Sequence, residues 1–216
     1  MSLLRSVVTG AHDIRRVGRS RRLPWRECEF VVMDFELTDL NPRRAKPLSV
    51  GWVVVRHGRM CLADAGYTPI HWPGGPGEIS PEAVAVHGLL PEDLAAAPAV
   101  SEVADQLERM VTGRVLVAHG SYMELTVLRR VGVPVARRRA LDTIRLSQSL
   151  DRLEEAPVPA NRTLSALSRR LGLPAHRPHH AFGDALTTGG VFLALATRLE
   201  AHGAGRLGDL HRLGGA

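Results

Sequence analysis

An apolar run that ends on two acids, Phe30-Val31-Val32-Met33-Asp34-Phe35-Glu36-Leu37-Thr38-Asp39-Leu40, constrains this chain more than any other feature. Its β-branched and aromatic residues predict a strand, and side chains on a strand alternate between its two faces. Asp34 and Glu36 then share one face, while Met33, Phe35 and Leu37 enter a core on the other. Two anions held side by side call for a cation. A divalent ion such as Mg²⁺ or Mn²⁺ suits carboxylate oxygens and points to phosphoryl chemistry. The alternative is a strand end carrying two solvated acids.

The pattern downstream extends that strand into a sheet. After a loop with Asn41, Pro42 and Pro47, the alternation of Leu48, Val50, Trp52 and Val54 predicts a second strand to Val55. His57-Gly58-Arg59 reads as a tight turn into a third strand from Met60 to Tyr67, so three strands form an antiparallel meander. A Pro- and Gly-rich loop follows from Pro69 to Gly77. Ser80-Pro81-Glu82 then opens a short helix, with Ser80 as cap and Pro81 at its first position, and His87-Gly88 closes it. Helical spacing recurs over 101–111, 122–131, 163–171 and 181–202, and short strands are expected at 114–118 and 140–143. Asp151 to Arg162 reads as a loop. The order predicts an α/β fold: a mixed sheet with three antiparallel strands followed by alternating strands and helices, the first strand at its centre.

Composition limits the organisation. A chain of 216 residues, 44% hydrophobic, can bury one substantial core. We expect a basic, flexible or partly helical segment over 1–26, one domain over 27–202, and a frayed Gly-rich tail over 203–216. No apolar run is long enough for a membrane span, and the two cysteines, Cys28 and Cys61, have no metal-ligand spacing. The expectation is a cytoplasmic protein with free thiols and no membrane partner. The net charge of +6 is uneven: six arginines against Asp13 give residues 1–22 a charge of +5, leaving +1 for the rest. Lys46 is the only lysine, so basicity here reflects arginine usage as much as any selection for phosphate contacts. The segment reads as a nucleic-acid arm, an organellar presequence or, most plainly, a solvated amphipathic stretch.

Two further acids stand in unusual positions. Glu124 is the one carboxylate between Glu108 and Asp142, and helical spacing puts it on the face of Val127 and Leu128, where an unpaired anion is costly. Asp184 opens the last long helix in His179-His180-Ala181-Phe182-Gly183-Asp184 and shares a face with Thr188 and His180. A plain reading remains for each: Asp184 complements the helix dipole, and the two histidines lie at the surface.

Taken in order, these segments resemble the histidine-containing DEDD-type 3′ to 5′ exonucleases, the family of the proofreading subunit of bacterial DNA polymerase III, with oligoribonuclease a more distant relative. The resemblance covers about Phe30 to Leu199. Its acid-x-acid motif is met by Asp34 to Leu40, and its apolar strand running into Ala-His with an acid five residues on is met by Val117 to Glu124. Its His-x-Ala-x-x-Asp motif is met by His179 to Asp184, and three accessory stretches agree: Ile79 to Leu89, Leu141-Asp142-Thr143, and Leu164 to Pro174. The resemblance implies an RNase H-like fold and two divalent ions, Mg²⁺ or Mn²⁺, held by Asp34, Glu36, Glu124 and Asp184. It also implies His179 as the general base, Leu37, Thr38, His119 and Tyr122 as contacts to the terminal nucleoside, and single-stranded 3′ ends as substrate, DNA ahead of RNA. A polymerase or repair protein is the implied partner.

The match departs from the family at several positions. Glu124 stands where the family has Asp, Gly120 where Asn is usual, Met123 where an aromatic is usual, and Asp39 in place of a turn glycine. Phe35 and Leu37 replace the threonines of the polymerase-type motif. An extra methylene at Glu124 changes reach in a site that depends on it. The alternative function is a catalytically weakened exonuclease-like domain that binds nucleic acid or protein.

Overall fold

The computed structural model describes residues 21–39, 41, 44–75, 77–174, 176 and 178–216. Five strands form one sheet: β1 (Phe30–Leu37), β2 (Pro47–Arg56), β3 (Arg59–Pro69), β4 (Val115–Ala118) and β5 (Ala140–Asp142), in the order β3-β2-β1-β4-β5. The first three are antiparallel, and β4 and β5 run parallel to β1. The acid-bearing strand is therefore central, as its sequence position predicted. The β2–β3 turn puts His57 and Gly58 at φ 51° and 69°, the left-handed pair that a tight hairpin requires. The helices are α1 (Pro81–His87), α2 (Val100–Val111), α3 (Tyr122–Arg130), α4 (Thr143–Leu153), α5 (Leu164–Arg170), α6 (Ala181–Ala201) and α7 (Leu207–Gly214).

Alternation along β1 and β2 creates two cores. On one face, Phe30, Val32, Val53 and Val55 pack beneath Val191, Phe192, Leu195 and Leu199 of the long helix α6. On the other, Val31, Met33, Phe35, Val50 and Trp52 meet Val103, Leu107 and Val111 of α2 and Leu125, Val127 and Leu128 of α3. The short helix α1 is bounded by local signals. The Ser80 side chain accepts from the Ala83 N–H, Pro81 opens the helix, and Gly88 ends it at φ 75°.

Three expectations are corrected. The 203–216 segment does not fray: it carries α7, with Leu207 and Leu210 fully seated in the first core. Gly214 serves close approach there, since a Cβ on it would lie 2.4 Å from the Leu146 side chain. At the other end, residues 21–26 belong to the fold. Trp25 is buried edge-on to Phe30 and Phe192, and the Trp25 N–H donates to the Gly205 carbonyl; residues 1–20 of the expected basic segment lie outside the described residues. Finally, α4 runs through to Leu153, so Asp151 is helical and buried, bridged to Arg162 at 2.6 Å and to Arg170 at 2.9 Å. Both cysteines are free thiols.

Candidate active site

Strand pairing puts the acidic pair side by side on one face of the sheet. Asp34 is opposite Gly51 on β2 and Glu36 is opposite Ser49, all on the α6 side of the sheet. Gly51 permits backbone contact: a Cβ there would lie 2.2 Å from the Ala181 carbonyl carbon and the Phe182 nitrogen. The start of α6 therefore rests directly on β2, and Asp184, in its first turn, reaches the sheet acids. Carboxylate oxygens of Asp34, Glu36 and Asp184 lie within 4.8 Å of one another.

Glu124 arrives from the opposite layer, on the first turn of α3 at the end of β4. It is 5% exposed and close enough to Asp34 for its charge to raise that group. The tight three-oxygen group is made by Asp34, Glu36 and Asp184, with Glu124 beside Asp34. The start of α3 is set by Asp142 at the end of β5, whose carboxylate accepts the N–H groups of Gly120 (3.2 Å), Ser121 (3.0 Å) and Ile144 (2.9 Å) and the Ser121 hydroxyl. One side chain thus caps α4 and anchors the turn that leads into α3.

Electrostatics mark the cluster as incomplete without positive charge. Burial raises Asp34 well above the ordinary carboxylate range, and the charges of Glu124, Glu36 and Asp184 add to it. Burial, then Asp184, pushes Glu36 up to about 7. Burial pushes Glu124 to about 8, partly offset by a hydrogen bond from its own backbone amide, with Asp142 adding to the rise. Asp184 is also raised by burial, an effect moderated by the His179 N–H and by His179, His180 and His176. Glu36 Oε1 and Glu124 Oε2 are buried without a hydrogen-bond partner. An all-carboxylate donor set with orphaned oxygens fits a hard divalent cation.

These facts agree with what the chain resembles. Residues 31–192 match the family described as Exonuclease (RNase T). The chain belongs to this exonuclease family. Among curated proteins, the exonuclease domain is 32% identical to a DNA polymerase III subunit epsilon-like protein of Rhodobacter capsulatus, over 92% of this chain and 28% of that protein. It is 27% identical to DNA polymerase III PolC-type of Thermotoga maritima over 87% of this chain and 13% of that protein. It is 26% identical to the 3′-5′ exonuclease DinG of Bacillus subtilis over 85% and 19%. The chain thus spans less than a third of the length of each of these relatives. Its fold is that of Escherichia coli exonuclease I, solved in complex with a dT13 oligonucleotide: TM-score 0.67 at 15% identity, over 81% of this chain and 42% of that one.

Around the acids, the expected substrate contacts have structural surroundings of their own. The His119 ring is bonded at both nitrogens, to Thr143 Oγ1 at 2.8 Å and to the Arg162 carbonyl at 2.9 Å, so it ties β4 to the segment before α5. Thr38 is buried, and its hydroxyl accepts the Lys46 N–H. Leu37 packs in the second core. Tyr122 is the exposed member of the expected four, at 47%.

His179 has φ 56°, and its N–H donates to Asp184 Oδ2 at 2.8 Å, which holds the residue against the cluster. The His180 ring is stacked on Tyr67, centroids 4.8 Å apart. Sequence reasoning missed three contributors. His87 sits between the Leu37 carbonyl at 3.2 Å and the Leu89 N–H at 3.0 Å, and is lowered by burial, with His179 close enough to lower it further. Gly51 and Ser49 are visible only once the β1–β2 register is known.

Proposed function

We propose that this domain is a metal-dependent 3′ to 5′ exonuclease that hydrolyses the terminal phosphodiester of single-stranded nucleic acid, DNA in preference to RNA. The observation that carries the reading is the convergence of Asp34, Glu36 and Asp184 oxygens within 4.8 Å, with buried Glu124 beside them. Asp34, Glu36, Glu124 and Asp184 would hold a pair of Mg²⁺ or Mn²⁺ ions, whose charge in such chemistry stabilises the attacking and leaving oxygens of an in-line displacement. His179 takes the proton of the attacking water at its imidazole; the tether to Asp184 keeps it beside the acids, while His180 is occupied by Tyr67. Tyr122 offers an exposed aromatic face to the terminal nucleoside. The preference for DNA follows the names of the polymerase III relatives, which also support a polymerase or repair protein as partner. No helix among the described residues is long and apolar enough to cross a membrane, in keeping with a site of action in the cytoplasm.

One observation favours a second reading, a weakened domain that binds without efficient cleavage: the oxygens that converge are those of Asp34, Glu36 and Asp184, and Glu124 stands outside that group. The experiment is degradation of 5′-labelled single strands of DNA and RNA with Mg²⁺, Mn²⁺ or EDTA. A ladder that shortens from the 3′ end, needs a cation and spares a circular strand supports the enzyme. Equal cleavage in EDTA, or attack on the circle, rules it out.

A further inference from the structure

Ser49 is the third residue of β2 and has no exposed surface, and its hydroxyl has no hydrogen-bond partner. An unpaired buried hydroxyl is destabilising, and an alanine in the same place would avoid that cost. The sheet shows what the group faces. Its neighbours on the same face include Gly51 along β2, Pro69 directly across on β3 and Glu36 directly across on β1. The proline and the glycine offer no hydrogen-bonding side chain. Glu36 offers a carboxylate, and its Oε1 is likewise buried and unpartnered. Residues directly opposite in an antiparallel pair have Cβ atoms about 4.5–5.5 Å apart, so the hydroxyl and the carboxylate meet through rotamer changes alone.

We propose that Ser49 is a positioning residue for Glu36: its hydroxyl donates to the Glu36 carboxylate when that group engages a divalent cation, and so fixes the oxygen presented to the cation. The inference rests on the cation site proposed above. Ligating carboxylates are oriented by outer hydrogen bonds, and losing such a partner typically weakens metal binding. A serine is suited to the task because its hydroxyl is free to rotate toward whichever oxygen is left over.

The test compares the wild type with Ser49→Ala by two measurements: thermal unfolding in EDTA, and Mn²⁺ titration followed by the resonance of the free ion. The expected result is a melting temperature in EDTA that is unchanged or raised, together with Mn²⁺ binding weakened about 10- to 100-fold. A serine that serves structure alone gives the reverse, a lower melting temperature or an unfolded variant with unchanged affinity in whatever folds, and either result overturns the proposal. Wild-type protein that binds no Mn²⁺ removes the cation site itself and this proposal with it. Wild-type binding retained in full by Ser49→Ala removes the role of Ser49 and leaves the cation site standing.

Discussion

At the scale of single residues, the acids hold protons that the unfolded chain would release. Glu36 and Glu124, raised from 4.5 to about 7 and about 8, stay protonated in the fold over a range where they ionise in the unfolded state. From about pH 4.5 to pH 8 the folded protein therefore binds more protons, and its stability falls as pH rises; the penalty is absent below that window and complete above it. A divalent cation replaces those protons, and its affinity rises as they leave. The gap in melting temperature between Mn²⁺ and EDTA samples should thus widen from about pH 5 to about pH 8, and Glu124→Gln should raise the EDTA value at the upper end with little effect at the lower. A gap independent of pH would show that these carboxyls do not meet the cation.

At the scale of elements, the seating of α6 on Gly51 decides whether the acids converge. A methyl group at Gly51 has 2.2 Å to the α6 backbone, so Gly51→Ala must lift the helix start and carry Asp184 away from Asp34. Overpacking of this kind costs about 1–3 kcal/mol. The more telling change is in the rise of melting temperature on adding Mn²⁺, which should shrink or vanish because binding to the folded state is what produces it. A rise equal to that of the wild type would place the cation elsewhere. The same element shows the limits of sequence. The strand β1, the capped helix α1 and the His179 to Asp184 motif were legible because alternation, a Ser-Pro start and residue spacing are local signals. Gly51 and Ser49 act across strands, through a register that spacing does not give. His119 is read from sequence as a substrate contact because its neighbours resemble the family motif; the partners of its two ring nitrogens, 24 and 43 residues away, have no local signal at all.

At the scale of the whole molecule, the ends of the described chain close over the first core. Leu207 and Leu210 of α7 are buried there, and the Leu207 and Gly208 N–H groups donate to the Leu23 and Arg21 carbonyls. Glycine content suggested a loose end, whereas the apolar pair one turn apart was the informative signal. Deleting 204–216 should cost on the order of 3–6 kcal/mol for two leucine side chains, read as a lower urea midpoint; an unchanged midpoint would mean that α7 adds nothing. The central claim joins both layers of the fold: Asp34, Glu36 and Asp184 from the α6 side and Glu124 from α3 act as one cation site that hydrolyses 3′ ends. The most direct test is Mn²⁺-dependent shortening of a 5′-labelled single strand by the wild type, Glu124→Ala and Glu124→Asp, each first shown to be folded. One cation site shared by these four carboxylates predicts activity in the wild type, its loss in Glu124→Ala, and its retention or increase in Glu124→Asp. Undiminished activity in Glu124→Ala would contradict it, because the fourth carboxylate would then come from another residue.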